Sequence, residues 1–305
     1  MPLKIGNVTF RNKGVLAPML DYTNYSFREL CSKNHCALAY TEMQHISFVQ
    51  NTGLDLLLNT LKKPSCHVSL QLVGDFTNQQ SILSTLSRVF ELKGFDILDF
   101  NLGCPSPNLI SGNCGAILLD SIDKVSETLK VVKGISSKPV TAKIRLGYRF
   151  DNSFEILKKL ELSGIDAVAV HGRLGVDDYS TPSNYKKVQQ LARSTSLPVI
   201  YNGDINLTNI AIFKEIDEFS LLMVGRQALN NPSIFSMISG NKQRNAKENI
   251  KDFLRISRKS QNPLASQKLV LQQLVSGFAG ARQFRAKLSL LKTQEELDAL
   301  VSKLL

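Results

Sequence analysis

Cys104 stands between Gly103 and Pro105, just after an apolar run at 97–101. Its two neighbours fix an exposed turn, and a thiol held in such a turn can give or take a proton. A free cysteine is more often a small buried hydrophobe. A rival thiol, Cys114, lies ten residues on in Gly112-Asn113-Cys114-Gly115, a flexible loop with no strand anchor. Other apolar runs carry or end in groups that also do chemistry: Glu42, Gln71, Asn101, Lys143 with Arg145, His171 with Arg173, Asn202-Gly203-Asp204 and Gly225-Arg226. Val, Ile and Leu would satisfy core packing there, so polar groups at nearly every run's end are not explained by folding alone. For Lys143 the plain alternative is a buried ion pair with Glu42 or Asp99, and for His171 a satisfied core imidazole.

Elements that could converge these groups are legible around them. Eight apolar runs, at 15–19, 38–42, 68–73, 97–101, 140–144, 167–171, 199–202 and 221–224, read as strands. Between them apolar residues recur at helical spacing, as in Val125, Leu129 and Val132, or Ile156, Leu157 and Leu160. Gly94, Pro139, Gly164 and Pro198 sit where strands should begin. Alternation of this kind predicts parallel strands with right-handed crossovers, and eight units predict an α/β fold, a (β/α)8 TIM barrel. A doubly wound open sheet is disfavoured, because no Gly-x-Gly-x-x-Gly follows the first strand. In a barrel the active site gathers at the C-terminal strand ends, where Gln71, Asn101, Lys143 and His171 would face the axis. Gly203, Gly225 and Arg226 would suit a phosphate after strands seven and eight.

Beyond about 240 no strand appears. A barrel domain at 1–239 and a small helical domain at 240–305 are predicted, with the polar stretch 241–249 as linker. Formal net charge is +11, and residues 240–305 hold 13 Lys and Arg against 5 Asp and Glu, a net +8. That excess points to an anionic partner, although a solvated helical surface carries charge too. No apolar run is long enough to span a bilayer and the N-terminus lacks a signal-like stretch, so a cytoplasmic protein with no membrane association is expected. Five cysteines do not form a disulfide framework. Cys31, His35, Cys36, Cys66 and His67 match no common metal spacing, so no metal is expected, and no stable protein partner is implied.

Taken in order, Ala17-Pro18-Met19, Thr41-Glu42-Met43, Gln71-Leu72-x-Gly74, Asn101-Leu102-Gly103-Cys104-Pro105, Lys143-x-Arg145-x-Gly147, His171-Gly172-Arg173, Asn202-Gly203-Asp204 and Gly225-Arg226 resemble the tRNA-dihydrouridine synthase family. Each piece is short, but eight in register are specific. The resemblance implies FMN held by Pro18, Met19, Gln71, Lys143, His171, Asn202, Gly203, Asp204, Gly225 and Arg226. It implies NADPH, or NADH, as electron donor and tRNA as partner, gripped by the basic helices. A uridine would be flipped onto the flavin, hydride would pass from N5 to uracil C6, and Cys104 would protonate C5. Asn101, Arg145 and Arg173, with Lys143 and His171, would hold the uracil and its developing charge. The chemistry is consistent: hydride addition builds enolate charge at O4, which asks for cationic donors and one acid on the far face.

The chain departs from the family pattern at Tyr179-Ser180-Thr181-Pro182-Ser183-Asn184-Tyr185, where a Gly-x-Ala-Asp-Trp type run is usual, at 112–115, and in a short C-terminal region. Two rival readings are a dihydroorotate dehydrogenase-like FMN enzyme acting on a free pyrimidine and a non-catalytic RNA-binding protein. The basic tail argues against the first, and the intact Cys104, Lys143 and His171 set against the second.

Overall fold

A computed structural model describes residues 3–52, 57 and 60–304. The chain opens with an antiparallel hairpin, β1 (Leu3–Ile5) and β2 (Val8–Phe10), that the pattern of apolar runs does not predict. Gly6, at φ 54, supplies the left-handed turn residue between them. Eight parallel strands follow: β3 (Gly14–Leu16), β4 (Leu38–Tyr40), β6 (His67–Val73), β7 (Ile97–Leu102), β8 (Val140–Arg145), β9 (Ala167–His171), β10 (Val199–Asn202) and β11 (Leu221–Val224). A two-residue strand, β5 (Gln44–His45), extends β6 at its upper edge. Pairing of β11 with β3, and of β4 with β6, closes the sheet on itself. The fold is the expected (β/α)8 TIM barrel. The first two barrel strands stop short of their expected ends at 19 and 42. Pro18 has no N–H for the ladder, and the chain turns off there into the cavity rim.

Two apolar clusters hold this shell. The larger lies between strands and helices and runs on into the C-terminal helices; the smaller fills the barrel axis. There Ile5, Val8 and Phe10 of the hairpin pack on Val15, Leu38, Ile97, Ala167 and Leu221, so the hairpin plugs the N-terminal end. Each of these Ile, Val, Leu and Phe side chains contributes about 1.5–3 kcal/mol when fully buried. With one end plugged, the axis is accessible only from the other.

Four helices follow Gly240: Ala246–Ser260, Leu264–Leu274, Ala281–Leu290 and Gln294–Ser302. The first buries Ile250, Phe253 and Leu254 and lies on the barrel helix Tyr25–Lys33. The expected linker 241–249 is corrected: helix begins at Ala246, because Asn245 and Glu248 form a capping box. Asn249 is buried, accepting from Asn34 Nδ2 at 2.8 Å and donating to Ser233 Oγ at 3.1 Å. Among the described residues no helix is long and apolar enough to cross a membrane, and no cluster of His, Cys, Asp and Glu could hold a metal.

Candidate active site

The C-terminal strand ends surround a cavity of about 560 Å³. Of the residues singled out in the sequence, Pro18, Met19, Gln71, Asn101, Cys104, Lys143, Arg145, His171, Asn202, Gly203, Asp204, Gly225 and Arg226 line it. Arg173 does not; it is buried behind His171. The rival Cys114 is also absent from the lining. Its thiol is buried, donating to Gly112 O at 3.1 Å. Its loop is anchored after all, since Ala116 N donates to Cys104 O at 2.9 Å. Burial, with Asp75 nearby, raises the Cys114 pKa.

The cavity floor is a directed hydrogen-bond chain. Asp99 is fully buried, and burial pushes its pKa up to about 6 against the opposing bonds from Thr141 and Gln71. Its carboxylate accepts from Thr141 Oγ1 at 2.6 Å and from Gln71 Nε2 at 2.7 Å. Gln71 therefore turns its oxygen to Asn101 Nδ2, at 2.9 Å. Asn101 Oδ1 in turn accepts from the backbone of Gly103 and Cys104, at 3.1 and 2.9 Å. Asn101 thus faces the cavity, yet its amide is spent on shaping the turn that carries Cys104. The Cys104 thiol is half-buried and makes no hydrogen bond among the described residues.

Lys143 forms no ion pair with Glu42 or Asp99 and no hydrogen bond among the described residues. Burial, and then Arg145, lower its pKa to about 8. Arg145 spends Nε on Gly103 O at 3.0 Å and Nη1 on the carbonyls of Leu174 and Asp177. On the opposite wall Asp204 accepts from Arg173 at 2.7 and 2.8 Å and from Arg226 at 3.0 Å. Burial works against it, yet these partners hold the Asp204 carboxyl below the usual range. Gly203, at φ 140, is required by sterics, because a Cβ would collide with Ser183 Oγ. A Cβ on Gly225 would meet only Ala17 and Met19, both lining residues, and so would stand in the cavity.

Tyr179 is a lining residue that the strand-end pattern does not single out. The sequence marks it only as part of an atypical loop, yet it forms the rim beside His171, with the Arg226 guanidinium 4.5 Å from its ring centroid. A large aromatic eight residues after a strand-end His is the available signal.

The architecture and its donor-rich mouth define a barrel of the enzyme type, with reactive groups on the C-terminal face. Solved barrels resemble it at low identity: the old yellow enzyme from Trypanosoma cruzi (TM-score 0.54, 12% identity, 85% of this chain and 96% of that one) and an old yellow enzyme homologue from Zymomonas mobilis (0.52, 12%, 80% and 93%). They support the fold alone. The profile for Dihydrouridine synthase (Dus) matches residues 15–305, and the chain belongs to that family. tRNA-dihydrouridine synthase B of Vibrio parahaemolyticus is 32% identical over 240 residues, covering 77% of this chain and 74% of the relative. The enzyme of the same name from Pseudomonas aeruginosa is 32% identical over 244 residues, covering 77% and 71%.

Proposed function

We propose that this protein reduces a uridine of tRNA to 5,6-dihydrouridine, with FMN in the barrel cavity and NADPH, or NADH, as electron donor. The observation that carries the reading is the convergence of Cys104, Lys143, Arg145 and His171 on one cavity in a dihydrouridine synthase chain.

The cavity's residues fit the cofactor. Its volume lies within the range of sites for molecules of that size. Gly203, Gly225 and Arg226 form an anion-accepting end suited to a phosphate, and Gln71, Lys143 and His171 line the deeper part, suited to an isoalloxazine. Lys143 is left without a protein partner among the described residues, and a Cβ at position 225 would stand against the lining residues Ala17 and Met19. Bound there, FMN would supply the hydride for reduction of the uracil ring.

The chain's residues supply the rest. Lys143, protonated below about pH 8, offers Nζ to the charge developing on the uracil carbonyl. Arg145 adds a second positive charge nearby. Cys104 would deliver its Sγ proton to uracil C5. Pro18 and Met19 hold the ring from the rim. A stacked base cannot enter a cavity of this kind, so the uridine must leave its stack. Residues 240–305 act as the RNA-binding unit, their net +8 meeting phosphates. A cytoplasmic setting follows from that substrate.

The test is the visible spectrum of the purified protein, followed by NADPH oxidation with unmodified tRNA or with orotate under anaerobic conditions. A flavin band with tRNA-dependent oxidation is expected. Orotate-dependent oxidation alone would move the substrate to a free pyrimidine, and absence of flavin after reconstitution would sink the enzyme reading.

A further inference from the structure

Arg173 does not line the cavity, yet it is wired to a residue that does. The strand alternation that would have put it beside His171 is broken at once: Arg173 N donates to His171 O at 2.7 Å, turning the chain back. Its guanidinium then lies behind the imidazole, buried to 2% exposure. There it bonds the carbonyls of Tyr179 and Thr181, both carboxylate oxygens of Asp204, and, through Nη1, His171 Nε2 at 3.1 Å.

A guanidinium has donors and no acceptor. The nitrogen it faces on His171 must therefore be the acceptor, and in a neutral ring the proton must sit on Nδ1. The ring's other contact fixes which edge is presented. A Cβ on Gly203 would lie 3.3 Å from His171 Cδ2, so the Cδ2–Nε2 edge is held against Gly203 and Arg173. The Nδ1–Cε1 edge is left for the cavity, where Nδ1 has no partner among the described residues and the residue is only 7% exposed.

We propose that Arg173 is a positioning residue that locks His171 as a permanently neutral Nδ1–H donor, so that this point of the cavity accepts only a hydrogen-bond acceptor of the bound rings. The groups facing His171 reinforce the lock. Lys143 and Arg145 on β8, Arg173 beyond β9 and Arg226 beyond β11 are all cationic, and Asp204, beyond β10, is spent on two of those arginines. Tyr179 on the rim adds no negative partner. Burial, and then these cations, push the His171 pKa down to about 2. His171 is thus a donor and not an acid or base of the reaction. The acceptor is a ring carbonyl or ring nitrogen, which, resting on the function proposed above, belongs either to the isoalloxazine or to the uracil.

The experiment is nitrogen-detected NMR of the histidine rings in flavin-loaded protein, compared with R173M. In the wild type His171 is expected to remain a neutral Nδ1–H tautomer from about pH 8 to 5, whereas in R173M, where burial and the other cations still keep the ring neutral, the two tautomers should mix and an Nε2–H signal should appear. An Nε2–H tautomer in the wild type, or its titration between about pH 5 and 7, would overturn the lock. The wild-type readout needs no turnover and no folded variant, so it stands or fails apart from the assigned reaction. Substitutions then locate the acceptor. His171→Asn keeps an N–H near the place of Nδ1 and should exceed His171→Leu by roughly ten-fold in whichever property is affected, the worth of one buried hydrogen bond. A difference in flavin retention assigns the acceptor to the isoalloxazine, and a difference in kcat with flavin retained assigns it to the uracil. Equal behaviour of the two variants in both properties would overturn the donor role.

Discussion

The cavity and the C-terminal helices are both rich in cations, and they use them in opposite ways. In the cavity Arg145 is buried and Lys143 half-buried, and the nearby acids are committed: Asp99 to Thr141 and Gln71, Asp204 to Arg173 and Arg226. Charge there is expensive, so it appears as shifted acidity, with Lys143 lowered to about 8 and His171 to about 2. On the helices the cations are mostly exposed and partly paired. Arg244 and Arg255 share Asp252, and Arg258 meets Asp298. Lys259, Arg282, Arg285 and Lys287 form no ion pair among the described residues. A buried charge is individually tuned, while an exposed one is screened and nearly interchangeable. Substitutions should therefore act one by one in the cavity and only collectively on the helices.

The largest effect is expected at Cys104. Cys104→Ala should keep its flavin and its oxidation of NADPH, and lose about 10²–10⁴-fold in dihydrouridine formation, the usual worth of a positioned acid. Wild-type rates would move the acid elsewhere. Lys143→Met should cost roughly 10²-fold, comparable to removal of one preorganised donor. In the wild type Lys143 is charged below about pH 8 and neutral above it, so kcat should fall as pH rises through that value. A rate rising through the same range would contradict the assignment.

Smaller, collective effects are expected on the helices. Neutralising Lys259, Arg282 and Arg285 together should weaken tRNA binding and lower its salt slope by about one unit for each phosphate no longer neutralised. A salt titration of the binding constant reads this directly, and an unchanged slope would remove these helices from the interface. Arg258→Ala, which removes a cation already bridged to Asp298, should change affinity by less than about five-fold. A loss as great as that of the triple variant would show that paired cations also grip RNA.

How much of this is legible in the sequence depends on whether a signal is local. The eight barrel strands can be read because each is a short apolar run bounded by turn residues, most of them carrying or adjoining a polar group, and their common polarity brings the site residues together. The hairpin β1–β2 escapes because three-residue strands are too short to show alternation, although Ile5-Gly6-Asn7-Val8 carries a turn signal. Composition places Asn249 in a linker, while the Asn245 and Glu248 spacing already marks a helix start. Arg173 is the deepest departure. Its place two residues after His171 implies a shared face, and only the turn at Gly172 sends it behind the ring. The roles of Asn101 and Arg173 as supports rather than open donors depend on contacts between strands far apart in sequence, which no local pattern reveals.

Reduction of uridine in RNA by this cavity is tested most directly by mass-spectrometric analysis of unmodified tRNA after incubation with the flavin-loaded protein and NADPH. Dihydrouridine is expected at a defined position, formed by the wild type and not by Cys104→Ala. A flavin-loaded wild type that oxidises NADPH and leaves every uridine intact would contradict the assignment.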